Sequence, residues 1–221
     1  MRAAFYCKGC VSILSQIRSI ALTAALICGV GLIVLGLVLL TANLRGIPLY
    51  ILTGDPTAVM NVPFFTGFLS NVGVLLWAAA TAICLFSAFI AIRILHESEF
   101  FEFLLGSGLL TGMLMMDDLF LFHDEVFPDH LGISQKVVYA AYVVCAFTYL
   151  LYFRTMILRT DYLLLVMALG LFAVSVTVDL HLFYTPERVL VEDGAKFLGI
   201  AFWSGYFLRV SASIFLPLRR L

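Results

Sequence analysis

The sequence predicts an all-α, polytopic membrane helical bundle of about six transmembrane helices, and three observations predict it. The chain has 221 residues, of which 63% are hydrophobic and only 12% charged. Its mean hydropathy is +1.08. The apolar residues also fall in runs of the length a helix needs to cross the hydrocarbon core, about 20 residues. A soluble domain carries about a quarter charged residues because its surface faces water. A chain with half that share must turn much of its surface toward lipid. No continuous alternation of the β-barrel kind runs through the sequence, which leaves helices as the spanning solution.

The expected spans are 20–40, 68–95, 101–122, 137–153, 163–183 and 195–216, in a single transmembrane domain covering 1–221. Arg2, Lys8 and Arg18 precede the first run, as in a secretory signal. That run is long for a signal core and lacks a convincing cleavage site, so an uncleaved helix is expected. The stretch 43–66 holds Gly46, Pro48, Gly54, Asp55, Pro56 and Pro63 and reads as an outer loop against the bundle mouth.

Lysine and arginine stay on the cytoplasmic side. With the N-terminus inside, Arg2, Lys8, Arg18, Arg93, Arg154, Arg159, Arg219 and Arg220 lie inside; Arg45, Lys136, Arg188 and Lys196 lie outside or at a span edge. Both termini are therefore expected in the cytoplasm, and the plasma membrane of a bacterium is the expected location. The formal net charge of −1 argues against nucleic acid as a partner. Lipid is the expected environment and a lipid-like molecule the expected substrate. Cys7 and Cys10 form a lone C-x-x-C, too little for a zinc or redox site, while Cys28, Cys84 and Cys145 sit in apolar runs.

The chemistry gathers at three span ends. The third span closes on Met-Asp-Asp-Leu-Phe-Leu-Phe-His-Asp-Glu, 116–125. On a helix, Asp117 lies nearly above Asp124, and Asp118 above Glu125, with Ser107 and Thr111 continuing the Asp118 face inward. His123 points away from them unless the helix ends or bends near Phe122. An Asp at the bilayer centre costs about 2.5–3.5 kcal/mol on insertion scales. Such residues need a partner, a wet pocket, a metal or a proton; the plainer alternative is a wet helix end that begins early. The fifth span closes on Ser175, Thr177, Asp179 and His181, and the sixth opens with Glu192, Asp193 and Lys196. Glu192 and Lys196 are spaced for an i, i+4 ion pair, and Gly199 and Trp203 extend their stripe. Up-down topology brings these ends, with Ser70 and Asn71 of the second span, to one membrane face.

Two family patterns are similar in part and neither carries over. Glu192-Asp-Gly-Ala-Lys196-Phe-Leu-Gly resembles the retinal-binding last helix of microbial rhodopsins, but the lysine falls at the start of its expected span and the spans number six. Ser70, Asn71, the aspartates and His123 resemble scattered residues of the membrane hydrolases that include alkaline ceramidases. The paired histidines of their last span are missing here.

Acids with one or two histidines suit a divalent metal such as Zn, Mn or Fe. The leading expectation is a metal-dependent, hydrolase-like membrane enzyme acting at the outer leaflet. Its metal ligands come from Asp117, His123, Asp124, Asp179 and His181; Asp118 and Glu192 serve as general acid or base, and Lys196 steadies an acid or an anionic headgroup. A small ion- or proton-coupled transporter is the runner-up. A non-catalytic accessory or assembly subunit is the third reading.

Overall fold

A computed structural model of the chain describes residues 13–180 and 186–215. All regular structure among them is helical. The chain divides into two compact units, 1–66 and 67–221.

The first unit is built on α1 (Ile13–Arg45). Its large apolar residues, among them Leu22, Ile27, Leu32 and Leu44, are exposed within this unit. The expected loop that follows contains two short helices, α2 (Leu49–Thr53) and α3 (Pro56–Val59). Asp55 starts α3 by accepting hydrogen bonds from the backbone N–H groups of Thr57 and Ala58, and Pro56 takes the first helical position, where no N–H is needed. The Thr57 hydroxyl, which also donates to Asp55 Oδ1, does most to hold the Asp55 carboxyl below its usual range, and the two N–H groups add to it.

The second unit contains α4 (Phe68–Ile90), α5 (Ser98–Phe120), α6 (Gln135–Tyr152), α7 (Arg154–Ile157), α8 (Leu163–Asp179) and α9 (Pro186–Phe215). α4 runs on through a π-helical turn, Ala91–Leu95, and ends at His96 in the left-handed region. α4 packs against α5 and α9, and α9 packs against α8. An aromatic column ties these helices together. Phe172 of α8 stacks on Trp77 of α4 (centroids 5.7 Å) and meets Trp203 of α9. Trp203 meets Phe207, and Phe207 meets Phe103 of α5, which stacks on Tyr149 of α6. Several buried hydroxyls of this core are hydrogen-bonded. The Trp203 indole donates to Thr111 Oγ1 (3.0 Å), Thr111 donates to the Ser107 carbonyl, and Tyr149 O–H lies 2.6 Å from Ser107 Oγ. Cys84 is fully buried among apolar neighbours, as expected of a small hydrophobe.

Among the described residues, five helices are long and apolar enough to cross a membrane: Ala21–Arg45, Phe68–Leu95, Ser98–Phe120, Gln135–Tyr152 and Val189–Ile214. The protein is thus a membrane-embedded helical bundle. The fifth expected span, 163–183, is the shorter apolar helix Leu163–Asp179, so the count of six rests on the briefest of them. The largest difference from expectation is α9, which begins at Pro186 rather than near 195. Proline suits a first helical turn, and the polar run after it continues the helix instead of delaying it.

Close helix approaches depend on missing side chains. A Cβ on Gly199 of α9 would stand 2.7 Å from Phe172 Cε1 and 3.3 Å from the Ala168 carbonyl oxygen. Phe172 is held between Trp77 and Trp203 and has little room to give way. Gly199→Ala is therefore expected to cost about 1–3 kcal/mol, the usual range for overpacking. The check is thermal or SDS unfolding of the purified protein in detergent, with Gly170→Ala, where a Cβ meets nothing within 4 Å, as the unaffected control.

Candidate functional site

The site grows from a break in the third expected span. α5 ends at Phe120, and Leu121 takes a left-handed conformation, φ 52°. A non-glycine residue there is strained by about 1–2 kcal/mol. The chain then continues as a π-helical segment, Phe122–His130. What stabilises the turn is Asp117, one helical turn back. Its Oδ1 accepts the backbone N–H of His123 (3.0 Å), and its Oδ2 faces His123 Nδ1 at 2.7 Å. A single carboxylate thus caps the new segment and seizes the ring that the segment carries. On an uninterrupted helix His123 points away; the break brings it back to the acids.

The remaining contacts extend outward from that ring. His123 Nε2 lies 3.2 Å from Asp124 Oδ2. Gln135, at the start of α6, donates from one amide nitrogen to Asp124 Oδ1 (2.7 Å) and Asp179 Oδ2 (3.1 Å). Tyr139 O–H donates to Asp179 Oδ2 at 2.8 Å, and the Tyr139 ring lies 4.9 Å from the imidazole, centroid to centroid. Tyr142 O–H donates to Asp117 Oδ1 at 2.7 Å. The structure therefore gathers Asp117, His123, Asp124 and Asp179 into one network. Gln135, Tyr139 and Tyr142 are the partners that sequence reasoning missed. Their spacing of four and three places them on one face of α6, so a polar stripe in an apolar span was the available signal.

Asp118 faces another way. It pairs with Lys196 of α9, and its Oδ2 is buried with no hydrogen-bond partner among the described residues. Because α9 starts early, Lys196 lies ten residues past Pro186, well inside the helix rather than at its mouth. That corrects the expected position of the lysine and explains how it reaches a buried carboxylate. Glu192 is half-buried one turn before Lys196. Glu125, Asp193, Ser70 and Asn71 are exposed. His181, Cys7 and Cys10 lie outside the described residues. Among the described residues, no group of three or more His, Cys, Asp or Glu is placed to hold a metal ion.

The electrostatics of the exposed end are set by mutual pairing. Burial of the His123 ring favours its neutral form. Hydrogen bonds and charge from Asp117 and Asp124 outweigh that and raise its pKa to about 9. Asp124 is lowered from the usual carboxylate range, chiefly by its hydrogen bond to His123, with Lys196 adding a smaller charge effect. Lys196 thus lies within electrostatic reach of both halves of the site.

The class these features define is a multi-pass helical membrane protein with an acid–histidine network at one end of its bundle. A family described as a domain of unknown function (DUF8692) matches residues 20–210, and the chain belongs to that family. No curated protein and no solved structure matches it.

Two expectations follow. A group whose pKa rises on folding stabilises the fold below its unfolded value, and that stability is lost as pH climbs through the folded value. The His123 contribution is therefore complete below about pH 6.5 and gone above about pH 9; wild-type stability falls across that window, and His123→Gln flattens the fall. For Asp118 and Lys196, removing one member strands the other. Lys196→Met is expected to cost on the order of 3 kcal/mol. Lys196→Met with Asp118→Asn recovers much of that loss, as read from unfolding curves of the single and double variants.

Proposed function

We propose that the chain is a metal-dependent membrane hydrolase acting on a lipid or another membrane-soluble substrate at the outer leaflet. The observation that carries this reading is the line Asp117–His123–Asp124. A metal-ligating histidine typically gives its other ring nitrogen to a carboxylate, which fixes the tautomer and the ring plane. Asp117 stands in that position, 2.7 Å from Nδ1, leaving Nε2 toward Asp124. Two ligands of a tetrahedral ion, each about 2.0–2.2 Å from it, lie about 3.3–3.6 Å apart. The 3.2 Å between Nε2 and Asp124 Oδ2 is close to the lower end of that range, so a small separation of the two groups would admit a divalent cation such as Zn, Mn or Fe.

In this reading His123 and Asp124 are ligands. Asp117 is a positioning residue, since its oxygens already accept from His123 and Tyr142. Asp179, tied to Asp124 through the Gln135 amide, would be a further ligand. A bound ion supplies Lewis acidity and a water that is nucleophilic near neutral pH. Glu192 is the general acid or base at the edge of the site. Asp118 holds Lys196, and Lys196 presents its charge to an anionic headgroup. The Lys/Arg distribution supports an outward-facing site with both termini in the cytoplasm. A transporter would use the same acids and would need a polar route to the other face. The hydroxyls of Ser107, Thr111 and Tyr149 are spent on one another and on helix carbonyls, which favours the enzyme.

Elemental analysis of detergent-purified protein reloaded with Zn, Mn or Fe tests the reading. About one ion per chain is expected, lost in His123→Ala and Asp124→Ala. In Asp117→Asn the affinity falls about 10–100-fold, the range for an outer-shell partner. Affinity rises with pH, because the ion must displace the imidazole proton. Absence of stoichiometric metal under every loading condition contradicts the proposal.

A further inference from the structure

A second built feature lies at the other end of α9. Arg209 falls thirteen residues after Lys196, about 20 Å along the helix at 1.5 Å per residue. It borders a cavity of about 530 Å³ lined by Thr160, Asp161, Tyr162, Leu163, Leu164 and Arg209. One lining residue is held in place: Thr160 Oγ1 lies 2.8 Å from the buried Tyr206 hydroxyl and donates to the Ile157 carbonyl at 2.7 Å. At the mouth, Arg209 Nε and Nη2 both donate to one oxygen, Asp161 Oδ2, each at 2.7 Å. Among the described residues, Asp161 Oδ1 and Arg209 Nη1 have no protein partner, and both side chains are more than half exposed.

We infer that this cavity binds the zwitterionic headgroup of a phosphatidylethanolamine, with the phosphate on Arg209 and the ammonium on Asp161. The charge pattern selects the ligand class. A purely anionic headgroup meets Asp161, and a purely cationic one meets Arg209; a zwitterion engages the open donor and the open acceptor together. Position selects a lipid over a free metabolite. Arg209 sits near the end of the apolar span Val189–Ile214, and exposed Leu163 forms one wall, where an acyl chain would lie. Tyr162 is partly exposed beside it, as aromatic residues are at membrane interfaces. The groove is open to its surroundings, as a site for a headgroup whose acyl chains stay in the bilayer would be. The ion pair also clamps the 158–162 turn to α9, and a clamp alone carries no lipid preference. The inference is independent of the metal reading at the opposite end.

The test is native mass spectrometry and fluorescence titration of the intact chain in detergent, using dioctanoyl phosphatidylethanolamine and dioctanoyl phosphatidylglycerol. Saturable phosphatidylethanolamine binding is expected, at least tenfold tighter than phosphatidylglycerol. Asp161→Asn should lose at least fivefold for phosphatidylethanolamine and narrow the difference between the lipids; Arg209→Gln should weaken both. Equal or tighter phosphatidylglycerol binding by the wild type overturns the inference, and that comparison needs no variant to fold. Unchanged phosphatidylethanolamine affinity in a folded Asp161→Asn also overturns it.

Discussion

The carboxylate of Asp117 reaches forward around a helix break and holds both the backbone and the ring of His123, and the rest of the site follows from that contact. Without it, Leu121 would have no reason to leave the α-helical region, because neither glycine nor proline marks the break. With it, a buried acid and a buried imidazole neutralise one another in a setting where either alone would be costly. The ring is then fixed, and its second nitrogen must point toward Asp124. Asp124 in turn sets the place of Gln135, and Gln135 connects α6 to Asp179 at the end of α8.

The same logic separates two kinds of polar group in the second unit. Deep in the core, Ser107, Thr111, Tyr149 and Trp203 are satisfied pairwise, and they hold helices in register at little electrostatic cost. At the ends the polar groups carry charge. Asp118 with Lys196 and Asp117 with His123 stand at one end, and Asp161 with Arg209 at the other. The aromatic column from Trp77 to Tyr149 fills the space between and keeps the ends apart. Small residues such as Gly199 and Gly108 let α9 approach α8 and α5 approach α4 closely.

Much of this was legible in the sequence, and what was not has physical reasons. Hydropathy alone located the helices, because a long apolar run has few other uses. The gathering of Asp117, Asp124 and Asp179 followed from up-down topology and span ends. The start of α9 was misplaced because Glu192, Asp193 and Lys196 read as a boundary, whereas Lys196 is carried inside by its pairing with Asp118. The return of His123 was legible only as a condition, a break near Phe122. The break is made by a side chain capturing backbone, and no local residue preference announces it. Gln135, Tyr139 and Tyr142 were passed over because glutamine and tyrosine in an apolar span read as ordinary interface residues, though their shared face was visible.

A double-mutant cycle between Asp117 and His123 tests the central contact most directly. Unfolding free energies of Asp117→Asn, His123→Gln and the double variant, measured in detergent at pH 7, give the coupling between the two side chains. The structure requires that each single variant lose nearly what the pair loses together, with a coupling energy of about 1–3 kcal/mol. Additivity within about 0.5 kcal/mol would contradict it, since the two groups would then be strangers and the site would have no foundation.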